Sequence, residues 1–285
     1  MLFPRAAVVG IGLIGGSFAL AAKRAGLVGH VTGVARSEAT RQGALKIGAA
    51  DAVTSDAASA VAEADLVYLA APIDSICGSL RTLGPHLRSG ALVTDAGSAK
   101  TVILDAARAL PPTVTFLGGH PMAGSEQAGI ASARADLFAG SSYFLTPTPD
   151  TPADAVETLS ALVSGLGARP VIVEAALHDR LVALTSHLPH LLAWALCTTA
   201  GEAADPAVLA PFLGGAWRDV TRIAGSSPEM WSEIFRANFA PLQSAAASLS
   251  AELNAAQAAL DLEDPSAFLD WLHAARTAHE RLRPS

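Results

Sequence analysis

The sequence predicts an α/β chain, with a doubly wound, mostly parallel sheet over residues 1–174 followed by an all-helical segment over 175–285. Three observations carry that reading. The apolar run Ala6-Ala7-Val8-Val9 meets the turn Gly10-Ile-Gly12-Leu-Ile-Gly15 and passes directly into a helical pattern over Ser17–Ala25. Short apolar runs then alternate with helical patterns up to residue 174, an order that calls for crossover connections and parallel strands. From Ala175 the strand patterns stop, and alanine- and leucine-rich helical stretches replace them.

In chain order, strands are expected at Ala6–Val9, Val31–Ala35, Leu66–Ala71, Ala91–Asp95, Thr113–Leu117, Ser142–Thr146 and Pro170–Val173. Strands covered on both faces read as such unbroken apolar runs. Helices are expected to open behind Pro72 and near Ala99, with Ser98 as candidate N-cap. Another should open at Thr151-Pro-Ala-Asp154, which reads as N-cap, N1 proline and N3 acid. Gly118-Gly-His-Pro-Met-Ala-Gly124 is expected to be a glycine-rich loop. Later helices are expected over 175–201, about 226–261 and 265–282, broken at Asp205-Pro206, Pro211 and Gly214-Gly215.

Composition excludes several classes. The 285 residues are 51% apolar and 16% charged, which suits a packed globular chain rather than a disordered one. Net charge is −7 without a Lys/Arg run, against nucleic acid or an anionic membrane as partner. Cys77 and Cys197 lie far apart with no CxxC spacing, which fits a reducing, cytoplasmic setting. The uncharged stretch Ala6–Ala22 mimics a secretory signal, but its central glycines favour the strand–turn–helix reading, and no membrane span is expected. So much apolar helix after Ala175 is expected to bury surface against a second copy, making a homodimer.

The glycine turn is a dinucleotide-binding fingerprint in the right context, so the sheet is expected to be Rossmann-type. Gly10 permits the tight turn, Gly12 leaves room for a pyrophosphate, and Gly15 lets helix and strand pack closely, with Leu13 and Ile14 at the helix start. Ala35 stands where an NAD-binding acid is expected, followed by Arg36 and Ser37, which can pair with a 2′-phosphate. The cofactor is therefore NAD or NADP, with NADP tolerated. Ligands in such sheets bind beyond the carboxyl ends of the strands, where Pro72, Ser98 and His120 fall. His120, in a loop beside the cofactor, is the candidate acid/base. His178-Asp179, His187 and His190 cluster in the helical part, yet fit no standard zinc signature, so no metal is expected. Asp219 and Arg222, three apart, could place a guanidinium on a substrate carboxylate, with Trp231 as pocket wall or core.

GIGLIGGS (10–17), DAGSAK (95–100), GGHPMAG (118–124), SHLPH (186–190) and RDVTRIAGSSPEMW (218–231) together resemble the prephenate/arogenate dehydrogenases of tyrosine biosynthesis, in the family's order and across nearly the whole chain. The resemblance implies oxidative decarboxylation of prephenate to 4-hydroxyphenylpyruvate, with hydride passing to NAD(P)+ and aromatisation driving the step. It also implies a Rossmann domain followed by a helical substrate and dimerisation domain. It makes His120 the base at the C4 hydroxyl and Ser98 its orienting partner. Arg222 would hold a substrate carboxylate, His187 and His190 would line the pocket, and Trp231 and Gly215 would shape it. His190 tilts the substrate from arogenate towards prephenate, and the length leaves no room for an added mutase or regulatory domain. Two rivals are a β-hydroxyacid dehydrogenase, disfavoured by a histidine where those use lysine, and a non-catalytic NAD(P)-binding protein.

Overall fold

The computed structural model describes residues 1–124, 127–261 and 265–282. Six strands, β1 (Phe3–Val9), β2 (Val28–Val34), β3 (Ala52–Thr54), β4 (Leu66–Leu69), β5 (Leu92–Asp95) and β6 (Thr115–Phe116), form one parallel sheet in the order β3-β2-β1-β4-β5-β6. The order reverses beside β1, which makes the crevice between β1 and β4 the place for a ligand. Successive residues of β1 feed opposite cores, Ala6 and Val8 on one face, Ala7 and Val9 on the other. Helices α1 (Leu13–Arg24), α2 (Glu38–Lys46), α3 (Ala57–Val61), α4 (Ile73–Leu83) and α5 (Thr101–Ala107) make the crossovers.

The strands beyond β6 depart from the single sheet expected. β7 (Gly118–Pro121), β8 (Ser142–Thr146) and β9 (Arg169–Ile172) form a second sheet, with β7 antiparallel to β8 and β8 parallel to β9. The expected GGHP loop is therefore a strand, with His120 paired to Phe144. Glycine and proline make this segment read as a loop, but Gly119 is there for space: a Cβ would lie 2.6 Å from the Asp95 carbonyl oxygen. The three-residue strand β3 was too short to read as a pattern. Helix α6 (Ala153–Gly165) starts two residues after Thr151, whose hydroxyl accepts from Thr148 N instead of capping the helix.

From Ala175 the chain is helical. α7 (Ala175–Val182), a π-helical turn (Ala183–His187) and α8 (Leu188–Ala203) make one continuous rod. Pro189 supplies no N–H for a regular α-helical bond, and the wider turn absorbs the mismatch. By length and hydropathy this rod could cross a bilayer. Yet His178, Asp179 and His187 are buried on it, and the Asp179 carboxylate accepts from the backbone of Lys100 and Thr101, polar packing against the sheet domain rather than a uniformly apolar surface. α9 (Pro206–Leu209), α10 (Gly215–Thr221), a 3₁₀ turn (Arg222–Gly225) and α11 (Pro228–Ala237) follow. The helix expected over 226–261 is interrupted at Asn238, where φ −116° and ψ 33° separate α11 from α12 (Phe239–Leu260). By contacts the chain divides into Met1–Asn238 and Phe239–Ser285. The second unit pairs α12 with α13 (Ser266–Arg281) and exposes Phe239, Leu253, Leu260 and Leu269.

Candidate active site

The glycine turn satisfies the geometric demands of a pyrophosphate cradle. Gly10 has φ 94°, and a Cβ there would lie 2.5 Å from the Ala70 carbonyl oxygen. A Cβ on Gly15 would collide with the Gly10 carbonyl and lie 2.9 Å from Val8 Cγ1, so helix and strand touch through it. A Cβ on Gly12, at the helix start, would meet nothing within 4 Å. The turn is thus packed where the protein needs contact and open where a phosphate would lie.

Two adjoining cavities share Leu13, Ile14, Ser98 and Met230 as walls. One, about 490 Å³, runs past Pro72 and Gly97. The other, about 450 Å³, is lined by His120, Ser186, His190, Arg222 and Trp231. Ser98 faces both cavities and is not a helix cap, since α5 begins at Thr101. The groups that bond its first N–H donors come from elsewhere: the Asp179 carboxylate accepts from Lys100 N at 2.7 Å and Thr101 N at 2.9 Å.

His120 is not in an accessible loop. Its residue is 8% exposed, and its Nδ1 lies 2.8 Å from His178 Nε2. His178 Nδ1 lies 2.8 Å from Asp179 Oδ1. Burial, with His178, Lys100 and His187 nearby, pushes the His120 imidazole well below its ordinary value, so it is neutral at physiological pH. Burial pushes the Asp179 carboxyl up, but hydrogen bonds from His178, Thr101 and Lys100 outweigh it and hold it low. Lys100 is fully buried in an ion pair with Asp95, and its Nζ also donates to the Gly119 carbonyl at 2.6 Å. Asp95 accepts in turn from Gly97 N at 2.7 Å and Gly119 N at 3.1 Å, tying β7 to the end of β5 beside His120.

The other expected residues divide. His190 stacks on Trp231 at 3.6 Å, and its Nδ1 lies 2.9 Å from the Ser186 carbonyl, an arrangement in which Nδ1–H donates and Nε2 accepts. His187 does not line the cavity. It is buried, edge-on to Trp231 at 5.9 Å, and its Nδ1 faces Asn238 Nδ2 at 3.1 Å. Burial pushes its pKa down to about 4. Arg222 opens the 3₁₀ turn and reaches the cavity, while Asp219 and Gly215 are exposed on α10 and line no part of it. At the nucleotide end, Ser37 caps α2 by accepting from Thr40 N, and Arg36 is exposed. Arg41, which no sequence pattern flagged, donates to the Ala35 and Arg36 carbonyls at 2.7 and 2.8 Å and fixes that loop. His178 Nδ1 faces Asp179 and its Nε2 faces His120; among the described residues no cluster is arranged to hold an ion. Asn238, whose Nδ2 donates to the Asp179 carbonyl at 2.8 Å, gave no signal inside an alanine-rich helical run.

Two family models cover the chain: prephenate dehydrogenase, nucleotide-binding domain, over residues 18–172, and prephenate dehydrogenase, dimerization domain, over 174–274. The chain belongs to the prephenate dehydrogenase family. A prephenate dehydrogenase of Bacillus subtilis is 39% identical over 81% of this chain, and the match spans 63% of that longer protein. A cyclohexadienyl dehydrogenase of Zymomonas mobilis is 31% identical over 99% of this chain and 97% of its own length. The crystal structure of the Aquifex aeolicus prephenate dehydrogenase with hydroxyphenyl propionate and NAD+ superposes with a TM-score of 0.91, at 28% identity over 98% of both chains. The glycine cradle lies beside the stretch matched by the nucleotide-binding domain, the use for which its geometry is suited.

Proposed function

We propose that this chain oxidatively decarboxylates prephenate to 4-hydroxyphenylpyruvate in tyrosine biosynthesis, as a cytoplasmic homodimer. The observation that carries the reading is one cavity lined by a neutral, anchored His120, by Ser98 and by Arg222, and continuous in its walls with the glycine turn. Gly10, Gly12, Gly15, Leu13, Ile14 and Pro72 would hold the dinucleotide, which when bound supplies the hydride acceptor. His120 accepts the proton of the C4 hydroxyl, so that the alcohol carbon can lose its hydride as the ring carboxylate departs as CO2. Ser98 hydrogen-bonds near the reacting hydroxyl. Arg222 grips a carboxylate of the dianionic substrate with its planar fork. His190, held flat on Trp231, offers Nε2 to the substrate's side chain, while His187 supports Trp231 from behind. The helical residues 175–285 form the substrate and dimerisation domain, and the free thiols of Cys77 and Cys197 suit a reducing compartment.

Either nicotinamide cofactor should serve. Arg36 is exposed at the end of β2, no carboxylate precedes it, and Arg41 holds the loop that presents it. Absorbance at 340 nm with prephenate, run with NAD and with NADP, tests both points. Turnover with either confirms the reaction, and Arg36→Ala should lower kcat/KM for NADP selectively. Silence with prephenate and turnover of arogenate would reassign the substrate.

A further inference from the structure

Asp179 makes the contacts of an ionised carboxylate, and the hydrogen bonds it accepts hold its carboxyl low. Oδ1 accepts from Lys100 N, Oδ2 accepts from Thr101 N, and Oδ1 lies 2.8 Å from His178 Nδ1. A carboxylate in that state has no proton to give, so His178 Nδ1 carries the hydrogen. In a neutral ring Nε2 is then an acceptor, and the hydrogen in the 2.8 Å contact with His120 belongs to His120 Nδ1. That leaves the lone pair of a neutral His120 on Nε2. We infer that Asp179 and His178 are positioning residues that fix which nitrogen of His120 bears its proton, through an Asp–His–His chain anchored on the turn that also carries Ser98.

The other charged and titratable groups around the chain do not supply an alternative acceptor. Lys100 is paired with Asp95 and bonded to the Gly119 carbonyl, and His187 is turned to Asn238. From β8 the neighbour is the Phe144 ring, centred 5.3 Å from that of His178. Asn238 holds the Asp179 carbonyl, so the backbone of Asp179 is fixed as well as its side chain. Asparagine at 179 breaks the logic. Its amide can donate to His178 Nδ1, which reverses both rings and places a hydrogen on His120 Nε2, where the substrate proton should go.

This inference rests on His120 as the base, but its test does not need turnover. Protein labelled with ¹⁵N-histidine, without substrate or cofactor, gives the tautomer of each ring, with His120 and His178 assigned by the resonances lost in His120→Asn and His178→Asn. Both rings neutral with Nδ1 protonated is the result expected. An Nε2-protonated His120, or an imidazolium at His178, overturns the assignment, whatever the substrate proves to be. In Asp179→Asn the His120 tautomer should reverse and kcat should fall by roughly 10²–10⁴, the upper figure being that of a catalytic histidine left in the wrong tautomer. KM and the dinucleotide Kd, read by fluorescence, should stay within about two-fold, as for an effect confined to the transition state. A lost kcat with an unreversed tautomer, or weakened dinucleotide binding with kcat intact, would make Asp179 merely structural. Should Asp179→Asn fail to fold, the unsubstituted protein's spectrum still decides.

Discussion

His120 and Arg222 line the same cavity in opposite physical states. His120 lies in a strand, nearly sealed from solvent, with its back nitrogen held by His178. Arg222 sits at the start of a 3₁₀ turn, exposed, on a segment that buries little of itself. The contrast follows from what each must do. A base works through its proton affinity and orientation, both of which a dry, fully bonded setting fixes before the substrate arrives. A guanidinium that captures an anion keeps its charge in any setting and gains from meeting the ligand in water.

The largest effect should come from removing the sealed group. His120→Asn is expected to lower kcat by roughly 10²–10⁴ with KM little changed, measured by steady-state kinetics; full kcat would end its role as base. Next is Lys100→Met, which strands the buried Asp95 carboxylate and should cost about 3–5 kcal/mol in urea unfolding. Arg222→Ala should raise KM by roughly 10–100-fold, the worth of a charged hydrogen bond of about 1.5–3 kcal/mol. An unchanged KM would place the carboxylate elsewhere.

Acid should act on the sealed side. The folded pKa of His120 lies well below 6.5, so the acid limb of kcat/KM should have its midpoint below that value. His187 has a folded pKa of about 4 against about 6.5 unfolded. Its contribution is complete above 6.5 and is lost as pH falls from there to about 4, because the unfolded chain takes up the proton first. Urea midpoints should drop across that window. The smallest change is at the exposed nucleotide end, where Ser37→Ala should cost about 0.5–1 kcal/mol of stability through the lost cap and leave kcat with NAD unaltered.

What could be read from the chain was what neighbours in sequence determine. The glycine turn announces itself because strand, phosphate cradle and helix are contiguous, and the alternation that follows gives the parallel sheet. His120 was found, but not its setting, since GGHP carries loop residues and its strand fits only because Gly118 and Gly119 carry no Cβ where Thr94, Asp95 and Thr146 crowd against them. The Asp179 contact with Lys100 spans 79 residues and leaves no local trace. Ser98 looked like the cap because it stood at the right offset, and a carboxylate from another helix took that place. His187 and His190, three apart, read as equivalent, yet one meets Trp231 edge-on and the other stacks on it, and only His190 reaches the cavity.

The π-helical turn over Ala183–His187 sets an angular phase for everything after it. Each residue of an α-helix advances about 100°, so an uninterrupted helix would place His190, twelve positions past His178, about 120° away around the axis. One residue taken up by the wider turn removes about 100° of that advance and brings the two imidazoles onto nearly one side. Straightening the turn to a regular α-helix at unchanged length would therefore swing His190 and Trp194 out of alignment with His178, whereas deleting a single residue between 183 and 187 would straighten it and keep them aligned. Lengths in this segment are fixed by rotation, not by reach.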